Sequence, residues 1–364
     1  MAGKILNYYA DGNTSSGFYS FHQSNIVGLD RLFILKGAPG TGKSTLIKKV
    51  GLEWLSRGFD IEFMHCSVDN DSVSGVIIPK LKCGIVDGTE PHVIEPKAPG
   101  AIEEYVNLGV AWDSKRLIKN KDEIIKIGTQ KQEMFQSAYD SFNKAIKIHD
   151  EWEKIYIANM DFSKANKLAE ELGEIFFADK RLDKKASVRH RFMGAATPAG
   201  PVDFINNLTT DVNKRYFLKG RPGSGKSTLL EKLASKAENN GFDVEIYHCG
   251  LDSNSLDMVI VREQGIAIFD STAPHEYFPE RENDEIVDIY KRAITPGTDE
   301  KYALELQKII QRYKLHILEG TSFLAKGKIL NDELKKYYIG AMNFEIVDYM
   351  TDEINTQIAE TIIY

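Results

Sequence analysis

Apolar positions in the opening part of the chain fall in short runs, and the same pattern returns further on. Residues 32–35 (LFIL) and 216–218 (YFL) each read as a buried strand. Behind each run the spacing becomes helical, in STLIKKVGLEWLSRG (44–58) and STLLEKLASKAENNG (227–241), and each pattern closes at a glycine. Second strands follow at 60–65 (DIEFMH) and 243–248 (DVEIYH). After a turn-rich segment, third strands end at Asp87 and Asp270. From 101 to about 182, breakers are few, and Phe135, Tyr139, Phe142 and Ile146 recur at three- and four-residue spacing. That predicts long amphipathic helices, as does the similar stretch from about 284 to 364. Strands alternating with helices predict an α/β fold with mostly parallel sheets, each followed by a long helical region.

The recurrence is a duplication. At an offset of 183 the chain aligns with itself without a gap from about residue 31 to residue 96, with about two-fifths of positions identical. Thr14, Gly17 and Phe21 face Thr197, Gly200 and Phe204, and at an offset of 182 HDEWEKIYIANMDF (149–162) faces NDELKKYYIGAMNF (331–344). Each half is domain-sized, giving 1–183 and 184–364, with helical extensions at about 101–182 and 284–364. The basic stretch KRLDKKASVRHR (180–191) at the junction reads as a solvated linker.

Between first strand and first helix, each half carries one ten-residue loop: KGAPGTGKST at 36–45 and KGRPGSGKST at 219–228. Both fit G-x-x-x-x-G-K-[ST] in its required strand–loop–helix setting. A phosphate chain needs several N–H donors close together and no side chain between them. The backbone of Gly37, Gly40, Thr41, Gly42 and Thr45 can supply those donors, as can that of Gly220, Gly223, Ser224, Gly225 and Thr228, with Pro39 and Pro222 lining the loops without an N–H of their own. The helix behind adds its positive end. Lys43 and Lys226 supply a charge for the outer phosphates, and Ser44 and Ser227 a hydroxyl for Mg²⁺.

These loops resemble those of the P-loop NTPase superfamily. Together with the paired His-Cys strand ends and the D-x-T-x-P-H turns, they resemble a bacterial family of tandem P-loop ATP-binding proteins. The resemblance spans nearly the whole chain and implies two P-loop NTPase domains that bind and turn over ATP with Mg²⁺. In that setting Asp87 and Asp270 stand where an aspartate supports the Mg²⁺ water shell. The glutamate that often follows is replaced by Gly88 and Ser271, so the base for an attacking water stays unassigned. By analogy with P-loop kinases, Asp69 and Asp252 are candidate bases for a substrate hydroxyl, with an Asx turn as the alternative. ATP is favoured over GTP, because the nearest approach to N-K-x-D, Asn120 to Glu123, ends in glutamate and has no counterpart.

Other candidates are weaker. His65-Cys66 with His92, and His248-Cys249 with His275, form a duplicated set whose spacing matches no zinc motif. His92 and His275 could instead meet the γ-phosphate. Arg221, Arg262, Arg281 and Arg292 are candidates for stabilising transition-state charge. Three readings follow: an ATPase whose halves pack as an internal pseudo-dimer and move their helical arms against a protein partner, a small-molecule kinase, or a non-hydrolysing switch.

Composition adds boundaries. Of 364 residues, 42% are hydrophobic and 27% charged, the balance of an ordinary globular chain. A formal charge of −7 argues against a broad nucleic-acid surface. Three cysteines without C-x-x-C fit a reducing cytoplasm, and no apolar stretch has signal-peptide or membrane-spanning length.

Overall fold

The apolar runs become the middle of one large sheet. The computed structural model describes residues 3–178 and 180–361. The first half runs β1 (Ile5–Tyr9), β2 (Asp11–Thr14), β3 (Gly17–Ser20), α1 (His22–Ile26), β4 (Arg31–Lys36), α2 (Lys43–Ser56), β5 (Ile61–His65), β6 (Val73–Ile78), β7 (Cys83–Asp87) and β8 (Glu103–Asn107). Helices α3 (Ser114–Lys119), α4 (Lys121–Ile157) and α5 (Phe162–Phe177) follow. The second half runs β9 (Val188–Phe192), β10 (Gly194–Thr197), β11 (Gly200–Asp203), α6 (Ile205–Leu208), β12 (Lys214–Lys219), α7 (Lys226–Asn239), β13 (Val244–His248), β14 (Leu256–Val261), β15 (Ile266–Asp270) and β16 (Glu285–Asp288). It ends with α8 (Ile289–Ala293), α9 (Thr298–Lys301), α10 (Ala303–Ile339) and α11 (Phe344–Glu360).

Twelve strands form a mostly parallel sheet in the order β16-β12-β15-β14-β13-β9-β1-β5-β6-β7-β4-β8. Read outward from the β1–β9 seam, both halves have the same order. Strands β4 and β12 lie between two parallel neighbours and are buried through their middles, which explains their unbroken apolar runs.

Three expectations are corrected. The turn-rich segment contains β6 and β14, each antiparallel to both its neighbours. The start of each helical region is instead an edge strand, β8 or β16, beside the strand that precedes the glycine loop. The basic junction is only partly a linker, for its last residues enter β9, next to the seam.

At the seam β1 and β9 run antiparallel, with Tyr9 opposite Phe192. Arg191 lies there fully buried, its guanidinium 3.8 Å from the Tyr8 ring centre. Its Nη2 donates to Glu62 Oε2 at 2.6 Å, Nη1 lies 3.5 Å from Glu245 Oε2, and Nε donates to Asn25 Oδ1 at 2.8 Å. In the duplication Arg191 corresponds to Tyr8, and Glu62 to Glu245. One cation thus serves two related carboxylates at a point where strict symmetry would bring two arginines or none.

The long helices cross between halves. Phe142 of α4 packs on Gly320 of α10 and Phe135 on Gly327, while Glu151 pairs with Arg312 and Lys131 with Asn331, so the two helices run antiparallel. The helix after each then docks on the opposite half. Leu168, Leu172, Phe176 and Phe177 of α5 join a core with Leu229, Leu230 and Leu233 of α7. Val347, Ile354 and Ile358 of α11 join Leu46, Val50 and Trp54 of α2, and Trp54 Nε1 donates to Asn355 Oδ1 at 3.1 Å. Among the described residues, no helix is long and apolar enough to cross a membrane.

Candidate functional site

The two glycine loops take the same shape. Lys43 begins α2 and Lys226 begins α7, each after a glycine with positive φ, 96° at Gly42 and 84° at Gly225. No side chain caps either helix, so neither N-terminal set of N–H groups has a side-chain acceptor. Lys43 Nζ donates to the carbonyls of Gly37 (2.7 Å) and Ala38 (2.9 Å) and lies 3.6 Å from Asp87 Oδ2. Lys226 Nζ donates to the Arg221 carbonyl at 3.1 Å and lies 3.4 Å from Asp270 Oδ2. Asp87 and Asp270 each accept from the backbone N–H of the threonine two residues on, at 2.9 and 3.0 Å. Ser44 Oγ accepts from Val73 N at 3.0 Å and Ser227 Oγ from Leu256 N at 2.9 Å, which fixes where the two hydroxyls stand. Thr41 and Ser224 are buried and brace their loops from within.

Each loop is closed by a helix from the opposite half. A Cβ placed on Gly40 would lie 2.8 Å from the Lys335 carbonyl oxygen of α10, and one on Gly223 would lie 2.5 Å from the Glu153 carbonyl oxygen of α4. Lys335 and Glu153 are equivalent in the duplication, so the arrangement is symmetric in backbone and opposite in charge. Glycine at these positions serves helix approach as well as backbone curvature.

The charge difference decides what Asp69 does. Lys335 Nζ lies 2.5 Å from Asp69 Oδ2 and Lys328 Nζ 3.6 Å from Oδ1, while Ser72 Oγ and Asp71 N donate to the same carboxylate. Burial opposes its charge, but Lys335 first, then Asp71 N and Lys328, hold the carboxyl below its usual range. Asp69 is therefore a tether for α10, its two oxygens engaged by Lys335, Lys328, Ser72 and Asp71 N. Asp252 makes only the Asx turn, accepting from Asn254 N at 3.0 Å. Replacing Lys335 with alanine is expected to cost about 1–2 kcal/mol, below the cost of breaking a fully buried pair because Lys328 remains. A double-mutant cycle with Asp69→Asn measures the coupling. A coupling near zero would remove the tether.

The proposed arginines are all engaged. Arg221 donates to Asp299 of α9 at 2.8 Å, Arg262 clasps Glu245, Arg281 donates to the Thr209 carbonyl and Arg292 pairs with Glu171. The duplicated histidine–cysteine sets do not assemble. His65 Nε2 bonds Asn7 Oδ1 at 2.8 Å and His248 Nε2 bonds His190 Nδ1 at 2.8 Å, leaving only His92 near Cys66, at 3.9 Å. His275 Nδ1 bonds Asp203 Oδ2 at 2.7 Å.

Two features escaped the sequence reading. Half-buried Lys131 of α4 has its pKa lowered by burial and by the charge of Lys43; its counterpart in the second half is Tyr313. Asp257, on β14, stands where the first half has Ser74. Burial and the neighbouring Asp270 raise its carboxyl from 3.8 to about 7. The visible signal was a carboxylate facing a serine in the self-alignment. The folded state therefore holds that proton more tightly than the unfolded chain, and the stability it brings is lost as pH rises from about 4 to about 7. Asp257→Asn cannot lose this proton. Its melting temperature is expected to gain on wild type as pH rises through that window, and a constant difference would contradict the assignment.

A scan against models of protein families finds no match for this chain, and searches of curated proteins and of solved structures find none either. The functional reading therefore rests on the residues described above.

Proposed function

We propose that the chain is a Mg²⁺-dependent ATPase with two tandem P-loop sites, each closed by the long helix of the opposite half. The observation that carries this reading is the repeated constellation of lysine, strand-end aspartate and oriented serine at an uncapped helix N-terminus. Nothing else in the fold calls for a lysine held between loop carbonyls and a carboxylate twice over. The residues fit the group they would hold. The N–H groups of the loop and helix start would take the phosphates, and Lys43 or Lys226 would move from Asp87 or Asp270 to the outer phosphate. Ser44 with Asp87, and Ser227 with Asp270, would hold Mg²⁺, which would supply charge neutralisation for the phosphates.

Hydrolysis transfers the γ-phosphoryl group to water, giving ADP and inorganic phosphate. In the second half Asp257 is a carboxylate suited to receive the water's proton; the first half has no equivalent. The sites are thus unequal, with Lys335 and Lys131 beside the first and Asp257 and Glu153 beside the second. The kinase reading has less support, because Asp69 is committed to lysines and Asp252 forms an Asx turn. Since Lys335 and Glu153 lie directly on Gly40 and Gly223, a change at either loop would be felt by the α4–α10 pair, the part of the molecule best placed to act on a protein partner.

Single-turnover hydrolysis of ATP with Mg²⁺, in wild type and in Lys43→Ala and Lys226→Ala, tests the reading. Phosphate release that falls in both variants supports it. ATP bound by wild type without phosphate release would leave a switch rather than an ATPase.

A further inference from the structure

The most unusual cluster outside the loops is Asp11, His22 and His92, which are 0%, 1% and 5% exposed. They come from β2, α1 and the turn after β7. Asp11 Oδ2 lies 3.3 Å from His92 Nδ1 and 3.9 Å from His22 Nε2, and all three atoms fall within 4.8 Å of one another. His22 Nε2 has no hydrogen-bond partner, and His92 Nδ1 meets the carboxylate as an ion-pair contact at 3.3 Å without hydrogen-bond geometry. A buried imidazole nitrogen left unpaired is costly, so the convergence of both nitrogens on one oxygen needs an explanation.

The far side of each group is supported. His22 Nδ1 lies 2.8 Å from Ser20 Oγ, and His92 Nε2 lies 3.9 Å from Cys66 Sγ. Asp11 Oδ1 accepts from Ser67 N at 3.2 Å and from the Ser67 hydroxyl, while Oδ2, which faces the histidines, takes only a long hydrogen bond from Ser74 Oγ at 3.4 Å. This is the pattern of ligands oriented from behind, with each outer nitrogen bonded and each inner nitrogen open. Ligand atoms sharing one ion at bonds of ~2.1 Å stand about 3.0–3.4 Å apart. The Asp11–His92 separation already fits, and His22 Nε2, at 3.9 Å from the same oxygen, would have to draw closer.

The geometry points to a binding site for one first-row divalent transition-metal ion, held by Asp11 Oδ2, His22 Nε2 and His92 Nδ1. Two imidazoles and one carboxylate suit Zn²⁺, Fe²⁺, Mn²⁺ or Co²⁺ better than Mg²⁺, which prefers oxygen. The ligand set shares no residue with the Mg²⁺ positions proposed at Ser44 and Ser227, and among the described residues the second half does not repeat it. Gly194 replaces Asp11 in the second half, Ile205 replaces His22, and His275 is bonded to Asp203. An ion there would pin the turn that follows Asp87 to β2 and α1, fixing one glycine-loop site and not the other. The half-exposed group His149, Asp150 and Glu153 has no comparable support from behind, and it serves as a control.

The test is titration of the metal-stripped full chain with Co²⁺ in the absence of nucleotide, followed by equilibrium dialysis and visible absorption. One ion per chain with a d–d spectrum is expected, weakened at least tenfold in His22→Gln and Asp11→Asn and unchanged in His149→Ala. Ser20→Ala is expected to weaken it by about 10–100-fold. X-ray absorption on the wild-type Co²⁺ protein needs no variant to fold, and it is expected to find two imidazoles in the first shell. No stoichiometric Co²⁺, binding indifferent to Asp11→Asn and His22→Gln, or a shell without imidazole would each overturn the site and leave His92 and Asp11 as an ion pair.

Discussion

Replacing Arg191 with leucine is expected to destabilise the protein by about 3 kcal/mol or more. The guanidinium is wholly buried at the seam, between Glu62 and Glu245. Burial raises the Glu245 carboxyl, but Arg191 and then Arg262 bring it below its ordinary value. Removing Arg191 leaves Glu245 with the Arg262 cation and the Tyr247 hydroxyl, which donates to it at 2.8 Å, and Glu62 with the Arg189 cation at 3.8 Å. The remaining charges stand in a poorly solvated place, and removing one partner of a buried network costs more than the network itself contributes. Chemical denaturation gives the number directly. A second substitution, Glu62→Gln, should recover part of the loss, because it removes the charge that Arg191 no longer meets. A single variant within about 0.5 kcal/mol of wild type, the range of an ordinary surface change, would show that the seam does not depend on this cation.

The second large effect concerns the loop lysines. Lys43→Ala and Lys226→Ala each remove a charged donor from the place where the outer phosphates would sit. A hydrogen bond to a charged group contributes about 1.5–3 kcal/mol, so ATP affinity at the altered loop should fall roughly 10–100-fold. Loss of a donor aimed at transition-state charge should cost turnover about 10²–10³-fold. The fold should suffer little, since the contacts of Lys43 and Lys226 are local, to two loop carbonyls and Asp87 in the first half and to one loop carbonyl and Asp270 in the second. Separate measurement of affinity and turnover distinguishes a lost phosphate contact from a disrupted structure, which would lower melting temperature as well.

Local features were the legible ones. A glycine loop between an apolar run and a helical pattern is written in about twenty consecutive residues, and the strand-end aspartates Asp87 and Asp270 follow from apolar runs just before them. The mixed α/β class with long helices could be read in the same way. Features that join distant segments could not. Strand β6 hides in VSGVII, whose small residues resemble a turn, and β9 hides in a basic stretch because Arg191 finds its carboxylates only once the sheet is assembled. The crossing of α5 and α11 to opposite halves depends on which way α4 and α10 pair, and amphipathic spacing carries no such direction. His92 was visible in the repeat. Its companions Asp11 and His22 were not, since the other half has glycine and isoleucine in their places.

If both glycine loops hold nucleotide, as proposed, the number bound per chain will show it. Equilibrium binding of a non-hydrolysable ATP analogue with Mg²⁺ should give two per wild-type chain, and one per chain, at concentrations that saturate the intact loop alone, in Lys43→Ala or Lys226→Ala. The first site, beside Lys335, should be the tighter. No binding to wild type, or two equal sites retained in both variants, would rule out nucleotide at these loops.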